Sequence, residues 1–270
     1  MRITIKLILT VCTVLLVTPC LRAQDDFDSY KLRLDGAWAY SHPSGTLQGA
    51  TDAVPIDLSK DLGFNSYSTF FGKADWKFTH KNHLYVGAVP YNSTNQRVLT
   101  RTITFRGQTF QAGLTTRSSL NSPMYALGYQ YDIIRRKRGY FGVAVQFNLF
   151  DTHASISAAA QVTGTGLQRA VSASGSLLAP IPVAGPTFRY YLTDSPRLYV
   201  DANLLGMYFF GYGNFVSSLG KIGYSFNRHI NVIAGYFLGS RLRVRVDSST
   251  NRIGLDLDQK GPIVGVEVSF

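Results

Sequence analysis

The chain has 270 residues, with 27 Lys and Arg against 16 Asp and Glu for a net charge of +11, 13% aromatic residues and 25 glycines. Charged residues make up only 16%, and Glu267 is the single glutamate of the chain, a composition that excludes a charged helical protein and favours strands and turns. The cationic excess is spread over many segments rather than gathered in one tract, so an anionic lipid surface is expected as partner and nucleic acid is not.

The amino end reads as an export signal. Arg2 and Lys6 make a basic start, Leu7 to Val17 is an apolar run, and Pro19 to Ala23 ends on a small residue before Gln24, the order of a secretory leader. Cleavage after Ala23 divides the chain into a signal peptide, 1–23, and a mature domain, 24–270. A lipid-modified Cys20 is the alternative, against which Pro19 stands immediately before it. Both cysteines, Cys12 and Cys20, leave with the leader, so neither disulfides nor a Cys-held metal are expected. Loss of Arg2, Lys6 and Arg22 lowers the net charge by three. After Ala23 no run reaches the roughly 18–20 apolar residues of a membrane helix. A bilayer-spanning mature chain would therefore have to be a closed barrel.

The first strand alternates Tyr30, Leu32, Leu34, Gly36, Trp38 and Tyr40 outward with Lys31, Arg33, Asp35, Ala37, Ala39 and Ser41 inward. The second sets Phe70, Gly72, Ala74, Trp76 and Phe78 against Phe71, Lys73, Asp75 and Lys77, followed by a turn at 79–82. A third begins at His83. From Arg97 to Arg117 the chain is polar and β-branched around the turn signal Arg106-Gly107-Gln108, a hairpin that continues strands three and four beyond the membrane. Strand four re-enters with Tyr125, Leu127, Tyr129 and Tyr131 outward, and Arg135 to Arg138 make the next turn. Strand five puts Phe141, Val143, Val145, Phe147 and Leu149 outward. The Ala/Ser/Thr/Gly stretch 155–176 is a long loop or a strand extension. Strand six runs to Leu192 through Pro180, Pro182 and Pro186, which would interrupt ladder bonds. Strand seven puts Leu198, Val200, Ala202 and Leu204 outward, 211–214 is a tight connection, strand eight ends at 222–226, and strand nine runs from His229 to about Val246. Loop 247–251 leads to the last strand.

That strand, Pro262 to Phe270, alternates Pro262, Val264, Val266, Val268 and Phe270 with Ile263, Gly265, Glu267 and Ser269. Its apolar row with a terminal aromatic resembles the closing strand of Gram-negative outer-membrane β-barrels, an ending read by the barrel-insertion machinery; Phe270 is then the membrane-insertion signal. The fold expected is all-β: a closed antiparallel transmembrane β-barrel of about ten strands, with both termini periplasmic. A soluble β-sandwich is the alternative, but it would have to cover the outward aromatic rows.

The segment Ile56-Asp57-Leu58-Ser59-Lys60-Asp61-Leu62-Gly63-Phe64, the turn before His83-Leu84, the strand Tyr125 to Asp132 and the terminal Phe270 together resemble small, mostly uncharacterised outer-membrane barrel proteins of the porin-like superfamily. Lys81-Asn82 departs from the more Arg-rich turn of those relatives. The resemblance implies a fold and an outer-membrane location and carries no catalytic residues.

In a narrow barrel the lumen is filled by its own side chains. Lys31, Arg33, Asp35, Lys73, Asp75, Lys77, Asp132, Arg189, Asp201, Lys221 and Glu267 should form a paired lumen network, with Glu267 near Arg33 or Lys31. His80, His83 and His229 fall at turns and read as solvated or interfacial. His42 with Ser44, and His153 with Asp151, could be imagined in a hydrolase, or as ordinary loop polarity. Asp52, Asp57, Asp61 and Asn65 lack the spacing of a calcium loop. Arg97, Arg101, Arg106, Arg117, Arg241, Arg243 and Arg245 could contact phosphorylated glycolipid, because guanidinium forks suit phosphate; solvated arginines that discourage edge aggregation are the alternative.

The function expected is a monomeric outer-membrane barrel with a structural or surface-interaction role, without cofactor, metal or catalysis, whose partners are outer-membrane lipid, lipopolysaccharide and the insertion machinery. A narrow passive channel for small solutes and a surface lipid- or peptide-hydrolysing enzyme are the alternatives.

Overall fold

A computed structural model describes residues 27–49, 52, 54–161, 168–193, 195, 197–209, 213–244 and 253–270. The expected leader 1–23, Arg245 and loop 247–251 lie outside the described residues. Among the described residues fifteen strands run in chain order: β1 (Leu32–Gly49), β2 (Ile56–Asp57), β3 (Tyr67–Lys77), β4 (Asn82–Val89), β5 (Asn92–Val98), β6 (Ile103–Phe105), β7 (Gln108–Phe110), β8 (Thr115–Asn121), β9 (Met124–Arg136), β10 (Gly139–Gln161), β11 (Gln168–Tyr191), β12 (Leu198–Phe209), β13 (Gly213–Ser225), β14 (Ile230–Val244) and β15 (Ile253–Ser269).

The wall pairs antiparallel in sequence order from β1 through β3, β4, β9, β10, β11, β12, β13 and β14 to β15, and β15 pairs back onto β1. This is a closed ten-strand barrel. β5 and β8 pair with each other as the continuation of β4 and β9, as the polar hairpin reading expected. Closure leaves no lipid-exposed open edge at the chain's ends, which a membrane interior would penalise.

Alternation within each strand follows from the pleat. Trp38, Phe70, Trp76, Val86, Tyr125, Leu127, Val145, Phe147, Ile222, Val264 and Phe270 are all exposed on the outer face, while Asp35, Asp75, Asp132, Arg189, Lys221 and Glu267 are buried inside. An apolar exterior around a charged interior is the inverse of a soluble sandwich and suits hydrocarbon as solvent.

Short turns at 78–81, 137–138 and 226–229 gather at one rim, the turn end, and the longer connections at the other, the loop end. There the structure departs from an all-polar interior. The segment around β2 and the β6–β7 hairpin fold into the barrel mouth. Leu58, Leu62, Phe64, Phe105 and Phe110 are buried there with Leu47, Leu120, Ile156 and Leu255. The hairpin tip needs positive φ at both central residues, Arg106 at 51° and Gly107 at 75°, the geometry of a two-residue turn that matches strand twist.

The low-complexity stretch is strand where it is described: β10 and β11 pair from Gly139↔Tyr190 to Gln161↔Gln168. Two expectations are corrected. The first strand starts at Leu32, and the chain ahead of it turns inward, so Tyr30 is buried and Lys31 is exposed, reversing the alternation expected at those two positions. His83 is wholly buried, because β4 already begins at Asn82 and places His83 on the inward row with Tyr85.

Candidate functional site

The inward rows converge at the turn end, because β1, β3, β4, β9, β11, β12, β13 and β15 each bring an ionisable side chain to that level. Glu267 accepts from Arg189 Nη1 at 3.0 Å and Nη2 at 2.9 Å, from the Tyr199 hydroxyl at 3.0 Å and from Asn231 Nδ2 at 3.1 Å. Lys221 Nζ lies 3.3 Å from its Oε2, and Arg33 Nε 3.3 Å from its Oε1. In the closing ladder Glu267 stands directly opposite Asp35, a like-charge placement that costs stability on its own. Lys221 offsets it by reaching Asp35 at 3.5 Å as well.

Two further groups join this cluster. Asp28, ahead of the first strand, pairs with Arg33, with Lys77 at 3.5 Å, with Arg135 at 3.2 Å and with Arg189 at 3.4 Å. His83 spans Asp75 and Asp132, with Nδ1 3.2 Å from Asp75 Oδ1 and Nε2 3.0 Å from Asp132 Oδ2. The Tyr30 hydroxyl lies 2.9 Å from His83 Nδ1. Arg135 Nη1 donates to Asp132 at 2.5 Å.

Of the expected lumen residues, Arg33, Asp35, Asp75, Lys77, Asp132, Arg189, Asp201, Lys221 and Glu267 are brought together. Lys73 sits at the margin, a third exposed, 3.4 Å from Asp75, with its ammonium over the Tyr85 ring. Lys31 points outward and takes no part. Asp28, His83 and Arg135 were not expected in it. For His83 the signal was the parity of β4 itself, since Tyr85 and His83 share a row.

The cluster is densely paired, with Asp35 Oδ1 its one carboxylate oxygen, among the described residues, buried without a hydrogen-bond partner. Its carboxylates each face a cation or a hydrogen-bond donor, so it braces strands rather than holding a poised nucleophile or base. Among the described residues no group of three or more His, Cys, Asp or Glu could hold a metal ion. The loop carboxylates are likewise engaged: Asp52 accepts from the Gly49 and Arg106 amides, and Asp57 from those of Ser59 and Lys60.

The expected glycolipid arginines separate. Arg97 donates to the Ser59 carbonyl at 3.0 Å and Arg106 to that of Ser174. Arg101 grips Asp61 through Nε at 2.8 Å and Nη2 at 2.5 Å, which holds the Asp61 carboxyl below its ordinary range. Arg243 pairs with Asp256 at 3.0 Å. Arg117 and Arg241 are exposed, and Arg245 lies outside the described residues.

His42 is exposed, edge-on to Tyr40. His153 Nδ1 lies 3.4 Å from Asp151 Oδ1. This pair sits on the outer face of β10, where His153 itself lines a cleft of about 280 Å³ with Arg106, Ser119, Asn121, Ser155 and Ser174. Neither histidine points into the lumen.

No family model and no curated protein matches the chain. Among solved structures the chain is similar to the outer membrane protease OmpT of Escherichia coli, at 10% identity and a TM-score of 0.56, over 92% of this chain and all of that one. Weaker likenesses are to the toluene transporter TodX of P. putida, at 9% identity and TM-score 0.38 over 90% of this chain and 91% of that one, and to Ail of Yersinia pestis, at 10% and 0.37 over 88% and 99%. At such identity the likeness to OmpT shows the fold, that of an outer-membrane β-barrel.

Proposed function

We propose that this chain is a closed, non-conducting barrel of the outer membrane whose role is structural or interactive at the cell surface. The observation that carries the reading is the Arg189–Glu267–Arg33 cluster with Asp28, which fills the turn end of the lumen with mutually paired charge. An ion crossing there would have to break several buried pairs at once, each costly to separate. The packed loops at the opposite mouth support the same reading.

The loop end faces outward in this proposal and the turn end faces the periplasm. Arg117 and Arg241 are the arginines left to meet phosphorylated glycolipid. The terminal Phe270 is exposed on the apolar row and its amide donates to the Leu32 carbonyl at 2.8 Å, which suits an ending recognised by insertion machinery before the ladder closes.

Single-channel recording in planar bilayers tests the proposal. The barrel should give no discrete conductance steps, and an Asp28→Ala/Glu267→Gln variant that retains its folded state should open a measurable path. Steady unitary conductance from the unaltered protein would overturn it in favour of the channel alternative.

A further inference from the structure

The barrel wall is not uniformly laced. β10 and β11 pair without a break over their full lengths, whereas the β11–β12 ladder runs from Tyr191↔Tyr199 to Thr187↔Asn203, skips two positions, and has its last pair at Ala184↔Gly206. Direction of the amides explains the difference. The Tyr191 amide donates to Arg138 ahead of β10, and that of Leu192 donates to Leu198 on β12, so even-numbered residues of this strand aim at β12. Pro180, Pro182 and Pro186 are all even-numbered, and proline has no amide hydrogen to give.

What lies behind this edge is apolar. Leu177, Ala179, Ile181 and Val183 of β11 are buried on its inward row, and Leu205 and Phe215 are buried on β12 and β13. Outside, Leu178 and Tyr208 are exposed at the same level, continuous with the lipid-facing wall. Two buried polar side chains near this level have an atom without a hydrogen-bond partner: Thr187 Oγ1, at the foot of the broken ladder, and Asn148 Nδ2, one strand further on β10, on the lumen side opposite Ile181. A buried donor left without an acceptor is destabilising, and a ligand oxygen would relieve it.

We propose that the β11–β12 seam is a lateral binding site for a single-chain acyl amphiphile with an uncharged oxygen head, such as an ester, that enters from the surrounding bilayer. Its chain parts the unlaced strands and lies along Ile181, Val183 and Leu205, while its carbonyl accepts from Asn148. The polar atoms there are a neutral amide and a neutral hydroxyl, which select an uncharged head over a phosphate. The turn-end cluster below stops the chain from passing further.

The test uses the full chain with Cys12 and Cys20 replaced by serine, refolded into lipid and illuminated with a diazirine-bearing fatty acid methyl ester. Labelled residues are located by mass spectrometry. Labelling is expected on the inward residues Ile181 and Val183. A Val183→Cys/Met207→Cys pair, in the register continued from Ala184↔Gly206, should abolish it on oxidation, and reductant should restore it. Should the cross-link not form, a Pro182→Val/Pro186→Val variant, which returns two donors to the ladder, should reduce the labelling instead. Asn148→Leu should weaken labelling by the ester and leave that by a head-free alkane probe unchanged. Labelling confined to outward residues, labelling indifferent to oxidation or to the proline reversal, or equal inward labelling by a photoreactive phosphatidylcholine would overturn the proposal. Conductance is read separately, so a conducting barrel with a labelled seam would refute the proposed function and spare the site.

Discussion

Arg189 and Glu267, 78 positions apart in the chain, meet inside the barrel through two hydrogen bonds of 3.0 and 2.9 Å. The contact joins β11 to β15 across the lumen, so it braces walls that share no ladder. A buried pair of this kind adds modest stability, but loss of one partner strands the other.

Glu267→Gln should therefore destabilise the barrel by about 3–5 kcal/mol, because Arg189, Arg33 and Lys221 lose their shared anion. The check is the temperature at which the folded band converts to the unfolded one in detergent electrophoresis. Removing both partners in Glu267→Leu/Arg189→Met should cost less than the single change. Unaltered heat resistance of Glu267→Gln would remove the cluster's bracing role.

Tyr199 reaches Glu267 by lying flat over Gly223 on the neighbouring strand, where a β-carbon would collide with its ring. Gly223→Val should displace the ring and release its hydroxyl from Glu267, costing about 1–3 kcal/mol through overpacking. Denaturant midpoints should show the loss, and Tyr199→Phe should cost less. Gly220 has nothing within 4 Å of an added β-carbon, so Gly220→Ala is the control that should leave the midpoint in place.

The Arg101–Asp61 pair gives the loop end a pH dependence. Arg101 holds the Asp61 carboxyl below its ordinary value, so the stabilisation is fully present above the ordinary aspartate pKa of roughly 3.9 and is lost as pH falls through the lowered one. Pepsin cleavage in 56–64 should rise as pH drops from about 4 towards 2. Asp61→Asn should show the higher rate throughout that window, and an unchanged rate in the variant would show that the pair does not hold the loop.

Alternation made much of this molecule legible before any coordinates. Inward placement of Arg33, Asp75, Arg189 and Glu267 follows from a period of two alone, since hydrocarbon outside leaves only the lumen for charge. Asp28 was beyond that logic because it precedes the first strand, where no period exists. His83 was read as solvated because it stood at the first residue of its strand beside the turn, although with Leu84 and Val86 outward the alternation already set it on the inward row. The apolar mouth was missed for another reason: Leu58, Leu62, Phe64, Phe105 and Phe110 sit in segments whose polar neighbours read as exposed loop. Only tertiary folding of those loops inward explains their burial. Prolines in β11 were seen as a threat to the ladder, but which neighbour lost its bonds depended on amide direction.

The central claim is that the outer wall meets hydrocarbon, and the chain's two tryptophans report on it directly. Trp38 and Trp76 are 47% and 53% exposed, both on the outward rows. Fluorescence of the protein reconstituted in lipids with brominated acyl chains is the measurement. The account requires strong quenching by the brominated chains and weak quenching by iodide in the water; efficient iodide quenching with indifference to bromine would mean that the aromatic wall does not face lipid.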